Sequence, residues 1–158
     1  QIKRYLLDLS SAYASNILTS EEHLSVEEFV QVLQSSTLAD RRPVGEPDRL
    51  GKMLEHANLI MTARHRDKLV GIARSLTDFV YCTYLSDLAV DIEYQKNGIG
   101  KELIRFTKER APKAKLILLA APNAVIIIPE SNETLESMLR IGSAERAGLI
   151  TTFIWNLF

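Results

Sequence analysis

Leu85-Ser86-Asp87-Leu88-Ala89-Val90-Asp91-Ile92-Glu93-Tyr94-Gln95-Lys96-Asn97-Gly98-Ile99-Gly100-Lys101 is the stretch that decides the fold. Its first part closes a strand that begins near Tyr81 among aromatic and β-branched residues and ends at Val90. Tyr94 to Gly100 reads as a loop, and Gly100 to Arg110 as a helix with Leu103, Ile104 and Thr107 inward. Two glycines one residue apart therefore stand where a strand hands over to a helix. Glycine admits positive φ and carries no Cβ, so successive backbone N–H groups there can converge on a phosphate. The first N–H groups of the helix lack internal partners, and the macrodipole adds partial positive charge. Such a terminus suits a pyrophosphate, with Lys96 and Lys101 flanking it. The plainer alternative is a tight turn. The Walker spacing is absent, and the dinucleotide fingerprint fails because Leu103 stands where a third glycine is needed.

Downstream, Pro112 stops the helix, and Leu116 to Ala121 is a short apolar strand. A strand–helix–strand unit of this kind makes a parallel pair joined by a right-handed crossover. Upstream, strands over Leu59–Arg64 and Leu69–Ser75 are joined by the polar turn His65-Arg66-Asp67-Lys68, which makes them antiparallel. Ser25, with Glu28 three residues on, is a capping-box start for a helix over Val26–Ser35. Asp48–His56 is a second helix with Leu50, Met53 and Leu54 facing the core. Leu38 to Pro47 is a loop carrying Pro43 and Gly45. Gln1 to Thr19 fits either a strand or a helix. The pattern is α/β: one domain over residues 1–158, with a mixed central sheet and helices on its faces.

The composition supports a folded chain. Of 158 residues, 46% are apolar and 25% charged, and 19 basic against 20 acidic residues leave a net charge of −1. That balance gives no argument for nucleic acid or an anionic membrane as partner. The lone Cys82 excludes an internal disulfide and suits a reducing compartment. No apolar run approaches a bilayer span, so the expected location is cytoplasmic; Gln1 in place of an initiator Met reads as trimming or a fragment. His23, His56 and His65 are scattered without metal-ligand spacing, so no metal is expected.

The phrase Gln95-x-x-Gly98-x-Gly100, preceded by Leu88-Ala89-Val90-Asp91 and followed by an amphipathic helix, resembles the GNAT family of N-acetyltransferases. The resemblance covers roughly Leu59 to Ala124. Val70-Gly71-Ile72-Ala73-Arg74 is similar to the family's third strand, and Leu116-Ile117-Leu118-Leu119-Ala120 to its fifth. It implies an acyl-CoA N-acyltransferase fold with a splayed parallel strand pair. It also implies direct transfer of acetyl from acetyl-CoA to an amine in a ternary complex, with no metal, and is compatible with a homodimer. By position, the loop Gln95, Lys96, Asn97, Gly98, Ile99, Gly100 and Lys101 would hold the pyrophosphate through backbone amides. Leu88, Ala89 and Val90 would offer their backbone to the pantetheine arm, with Asn123 also in the cofactor set. A strand end whose neighbour has diverged has N–H and C=O groups to offer amides. Holding thioester and amine side by side supplies catalysis by proximity, and a backbone N–H at the thioester carbonyl would stabilise the oxyanion.

Tyr84, Asp87, Asp91 and Glu93 are the nearest candidates for a general base. Strand alternation puts Leu85, Asp87 and Ala89 on one face and Tyr84, Ser86, Leu88 and Val90 on the other. Asp91 also reads as a turn residue and Glu93 as a solvated loop charge. Cys82 reads as a small core residue. Arg41 and Arg42 read as solvated loop charges, whereas Arg74 could recognise a substrate carboxylate. The Leu38–Pro47 loop is expected to line the acceptor site, whose amine the sequence does not name.

The resemblance breaks after Val125. Relatives are expected to continue Asp-Tyr-Tyr-Pro within a helix whose tyrosine protonates the departing thiolate; here stand Ile126-Ile127-Ile128-Pro129. Losing one base at the end of the Val125 codon turns GAT-TAT-TAT-CCC into ATT-ATT-ATC-CC, which encodes the observed residues. Residues 126–158 then read as an out-of-frame tail. The alternative is a divergent native ending, with an amphipathic helix through Glu133, Leu135, Met138, Leu139 and Ile141 and a strand over Ile150–Phe158 carrying Trp155. Two rivals to the enzyme remain: a non-catalytic acyl-CoA-binding or interaction domain, and a phosphate-binding enzyme of another class using the Gly98–Gly100 loop. Reading the gene in the other frame beyond codon 125 should produce an acetyltransferase-like ending; failure to find one makes the present ending native.

Overall fold

The computed structural model describes residues 5–6, 16–20, 24–121 and 124–128. In chain order these form β1 (Tyr5–Leu6), β2 (Asn16–Ser20), α1 (Val26–Ser35), α2 (Pro47–Glu55), β3 (Leu59–His65), β4 (Lys68–Thr77), β5 (Cys82–Val90), α3 (Ile99–Arg110), β6 (Lys115–Ala121) and β7 (Ala124–Ile128). The seven strands lie in one sheet in chain order. All neighbours are antiparallel except β5 and β6, which are parallel across the α3 crossover. Segments expected within residues 129–158 lie outside the described residues.

Local chemistry accounts for the helices. The Ser25 hydroxyl accepts from the Glu28 N–H at 3.2 Å, and the Glu28 carboxylate reaches back to Ser25, accepting its hydroxyl at 3.1 Å and its backbone N–H, which caps α1. Pro47, whose missing N–H costs nothing in a first turn, opens α2. Phe29, Val32 and Leu33 of α1 and Leu50 and Leu54 of α2 bury against Ile60, Ile72 and Ala89 on one sheet face. On the other face, Ile99, Leu103, Ile104 and Phe106 of α3 bury against Met61, Ala63, Ala73, Leu85, Leu88 and Val90. Arg64 donates to Glu28 at 2.7 Å, tying α1 to β3, and holds the Glu28 carboxyl below its ordinary value against the opposing effect of burial.

Several expectations change. The ambiguous N-terminal segment contributes two strands. The Leu38–Pro47 loop opens with a 3₁₀ turn, Leu38–Arg41, whose Leu38 is buried. The β3–β4 turn tightens to Arg66-Asp67, with Arg66 left-handed at φ 56°. Cys82 is exposed rather than in the core. The Asp78 carboxylate accepts the N–H groups of Tyr81 at 2.7 Å and of Val80 and Cys82 at 3.0 Å, which closes the β4–β5 turn and leaves Cys82 at the sheet's end. Those donors also hold the Asp78 carboxyl below its ordinary value.

The strand alternation expected in β5 also fails, at one residue. Leu85 pairs with Ser75 and Asp87 with Arg74, so Ser86 has no opposite number and forms a β-bulge. Leu85 consequently joins Leu88 and Val90 on the α3 face, while Asp87 and Ala89 face α1 and α2.

Gly71 of β4 lies under the start of α3. A Cβ there would stand 3.1 Å from Leu103 Cδ1, 3.2 Å from Ile99 Cγ2 and 3.4 Å from Ala63 Cβ. Gly71→Val should therefore push α3 off the sheet and destabilise the fold by about 1–3 kcal/mol, read as a lowered urea midpoint.

Candidate active site

The parallel pairing of β5 with β6 runs from Cys82↔Lys115 to Leu85↔Leu118 and then ends. On its other side β5 stays paired with β4 as far as Val90↔Gly71. Among the described residues, no strand pairs from Ser86 onward with the β5 edge that faced β6. Among the described residues, β6 continues through Leu119–Ala121 beside β7 alone. The result is a fork whose apex is the bulged Ser86.

The mouth of the fork leads to the glycine loop. Asp91 donates its N–H to the Val70 carbonyl at 2.8 Å, and its carboxylate caps a 3₁₀ turn, Ile92–Tyr94, by accepting the Glu93 N–H at 3.0 Å. The other carboxylate oxygen is 2.8 Å from Lys68 Nζ, whose pKa it raises. The Gln95 side chain donates to the Val90 carbonyl at 2.9 Å, and Asn97 Nδ2 donates to the Tyr94 and Gln95 carbonyls, both at 3.1 Å. These amides occupy one carbonyl at the end of β5 and two in the loop. Lys96 and Gly98 take left-handed conformations, at φ 64° and 77°. Gly98 is the N-cap of α3, has no side chain to cap it, and accepts the first helical bond from Glu102 N–H at 3.0 Å. Gly100 lies in α3 as expected, where it is buried, but it does not take a positive φ; Lys96 supplies the second one.

Tyr94 anchors the loop from behind. Its hydroxyl lies 2.8 Å from His65 Nδ1, and Lys68 Nζ stands 5.3 Å from its ring centre.

The candidate bases have separated fates. Glu93 is exposed on the loop, 3.9 Å from Lys68. Tyr84 is 36% exposed and sits one residue before the last paired position of the fork. Asp87 is fully buried, with one oxygen accepting from Arg42 Nε and the other from Arg74 Nε. Arg42 is therefore no solvated loop charge; it reaches from the α1–α2 connection to Asp87 and donates to the Ser86 carbonyl at 2.8 Å. Arg74 is 5% exposed and also donates to the Ser86 hydroxyl at 2.9 Å and the Met53 carbonyl at 3.0 Å. Asn123 lies outside the described residues.

The family model for the acetyltransferase (GNAT) family matches residues 24–125. The chain belongs to the GNAT family. Among curated proteins nothing matches the sequence. Solved GNAT structures share its fold. A GNAT family acetyltransferase from Streptococcus pneumoniae is 20% identical with a TM-score of 0.59, covering 80% of this chain and 86% of that one. A putative acetyltransferase from Deinococcus radiodurans is 18% identical with a TM-score of 0.58, covering 88% of each chain. A GNAT family N-acetyltransferase from Escherichia coli in complex with CoA is 15% identical with a TM-score of 0.54, covering 68% of this chain and 64% of that one. Among the described residues, no helix is long and apolar enough to cross a membrane, and no three metal-binding side chains cluster.

In this GNAT domain the Arg42–Asp87–Arg74 cluster is what the sequence reading missed. A signal existed. Arg74 interrupts the apolar run Val70–Leu76, and an arginine buried there needs a carboxylate; Asp87 is the acidic residue of the neighbouring strand. The bulge that makes them opposite had no comparable signal.

Gly98 meets nothing within 4 Å of an added Cβ, so only its φ constrains it. Gly98→Ala should cost about 1–2 kcal/mol by urea unfolding, and Gly98→Asn distinctly less, since Asn tolerates the left-handed region.

Proposed function

We propose that this domain transfers an acetyl group from acetyl-CoA to the amine of a small acceptor, by direct attack within a ternary complex. The observation that carries the reading is the fork: a parallel pair ending at Leu85↔Leu118, with the glycine loop and the α3 N-terminus at its mouth. The pyrophosphate lies against the N–H groups of the loop and of the first α3 turn, helped by the helix dipole and by Lys96 and Lys101. The pantetheine arm lies along Leu88, Ala89 and Val90, its amides exchanging hydrogen bonds with the open β5 edge. The acetyl thioester then reaches the apex near Ser86.

The acceptor approaches from the α1–α2 face, where the Leu38–Pro47 connection delivers Arg42. The neutral amine attacks the thioester carbon, the C–S bond breaks, and the amine's proton passes to solvent while the thiolate takes one. Asp87, with each oxygen held by a guanidinium, serves structure rather than proton transfer. Tyr84 is on the same face as Asp87, is half-exposed, and is the candidate to relay a proton. Glu93 lies on the loop and acts on its charge balance.

A second reading, an acyl-CoA-binding domain with little turnover, is favoured by the end of the family match at Val125, immediately before the residues that break the resemblance. Ala124–Ile128 forms a strand on β6 where a tyrosine-bearing helix is expected, as its β-branched run favours. We propose that residues 126–158 are read out of frame and that the donor site, built upstream, survives.

Thermal unfolding with ligand present tests the donor site. Acetyl-CoA at 100 times its Kd should stabilise the protein by about 2.7 kcal/mol, which is roughly 5–10 °C in Tm for a chain of this length. ATP should do far less, and Gly98→Val should remove the acetyl-CoA shift. Release of free thiol with a panel of amines separates transferase from binding domain. A Tm indifferent to acetyl-CoA would sink both.

A further inference from the structure

Ser86 is held at both ends. Arg42 Nη2 donates to its carbonyl at 2.8 Å and Arg74 Nη2 to its hydroxyl at 2.9 Å. The same two guanidiniums use their Nε atoms on the two oxygens of Asp87. The three charged side chains come from β5, β4 and the α1–α2 connection, so the cluster joins three separate pieces of chain. Ser86 is also the residue without a partner in the β4–β5 ladder and the first one past the last β5–β6 pair. Bulge and fork apex are one residue.

We infer that Asp87 is a positioning residue that sets the fork: by fixing Arg42 and Arg74 it clamps the bulged Ser86 and so aims the β5 edge beyond it. This deepens the proposed function and rests on its placing of the pantetheine arm along that edge. The chemistry favours such a role. A bulge leaves backbone groups out of the ladder, and a buried carbonyl without a donor is costly. Arg42 supplies the donor. A guanidinium can serve a carboxylate and a carbonyl together because its N–H groups form a rigid fork; a lysine in its place is a single point charge. Asp87 in turn orients both guanidiniums, balancing the charge of the buried Arg74 while also holding the half-buried Arg42. Since a trans peptide points its N–H opposite to its C=O, pulling the Ser86 carbonyl onto Arg42 turns the Asp87 N–H the other way. The clamp thus sets the direction of the first peptide at the apex.

The cofactor can be divided to test this. The nucleotide half, 3′-phospho-ADP, needs only the glycine loop; acetyl-CoA needs the loop and the fork. Isothermal titration of both into the full chain should show wild type binding acetyl-CoA more tightly than 3′-phospho-ADP. Asp87→Asn should lose about tenfold in acetyl-CoA affinity, the size of one or two hydrogen bonds, with 3′-phospho-ADP affinity unchanged. Arg42→Gln, which leaves Asp87 paired with Arg74, should show the same selective loss and guards against misfolding of the first variant. Equal loss of both ligands in Arg42→Gln means a merely structural cluster, and unchanged acetyl-CoA affinity means the fork does not depend on the clamp; either overturns the inference. Wild type binding the two ligands equally would instead remove the fork from the donor site, and the proposed function with it.

Discussion

A parallel strand pair that stops partway is the constraint on which the rest of this molecule depends. Backbone groups released at such a fork need other partners, and the chain supplies them for the carbonyls at its two ends. On the β4 side the ladder continues to Val90, while β6 keeps its pairing with β7 after it has parted from β5. At the apex, Arg42 takes the Ser86 carbonyl. At the mouth, the Gln95 side chain takes the Val90 carbonyl. Each end of the open edge is therefore anchored by a side chain donating to main chain, with Leu88 and Val90 buried on α3 in between.

That arrangement requires α3 to be close to the sheet. Gly71 makes the close approach, with Leu103 and Ile99 filling the space a side chain would take. Ile99 is also the first residue of α3 after the left-handed Gly98. The contact that packs the core is therefore also the one that seats the first turn of α3 on the sheet. Lys68–Asp91 and His65–Tyr94 hold the approach to the loop from the β3–β4 turn. Removing one partner of a buried ion pair generally costs about 3–5 kcal/mol, because the other charge is left uncompensated. The Arg74–Asp87 pair is of that kind, and it lies beside the bulged Ser86.

Most of the fold was legible because it follows periodicity and punctuation. Ser25 and Glu28 marked the start of α1, Pro112 the end of α3, and the residue order of the strands gave their pairing. The glycine loop was legible through its spacing, although spacing alone assigned positive φ to the wrong second residue. A sequence shows which residues can adopt a left-handed conformation, not which residue a given turn will ask, and here Lys96 adopts it while Gly100 enters the helix. The bulge at Ser86 was illegible for a deeper reason. Alternation in β5 is consistent with either face for Leu85, and only its partner strand decides that Ser75 and Arg74 flank an unpaired residue. Every face assignment upstream of the bulge inverts with it. Cys82 was misjudged similarly: small apolar character suggested core, but the Asp78 turn sets it at the exposed sheet end.

The two ends of the site draw on different parts of the chain, and this bears on what the sequence after Val125 can affect. The closed end of the fork is the pairing of β5 with Lys115–Leu118 of β6, its second arm is Leu119–Ala121, and the loop and α3 are complete by Arg110. β7 pairs with the opposite edge of β6, away from β5, so its ladder adds to the sheet without entering the β5–β6 opening. A side chain that protonates a leaving thiolate, by contrast, must reach the apex from outside that ladder, and the resemblance expects it from the segment following β6. On the proposed reading, binding of a donor and departure of its thiol fall to stretches on either side of one residue. The change of reading frame proposed at Val125 would separate them at that boundary, leaving the proposed donor-binding half upstream and a run of isoleucines where the proton donor is expected.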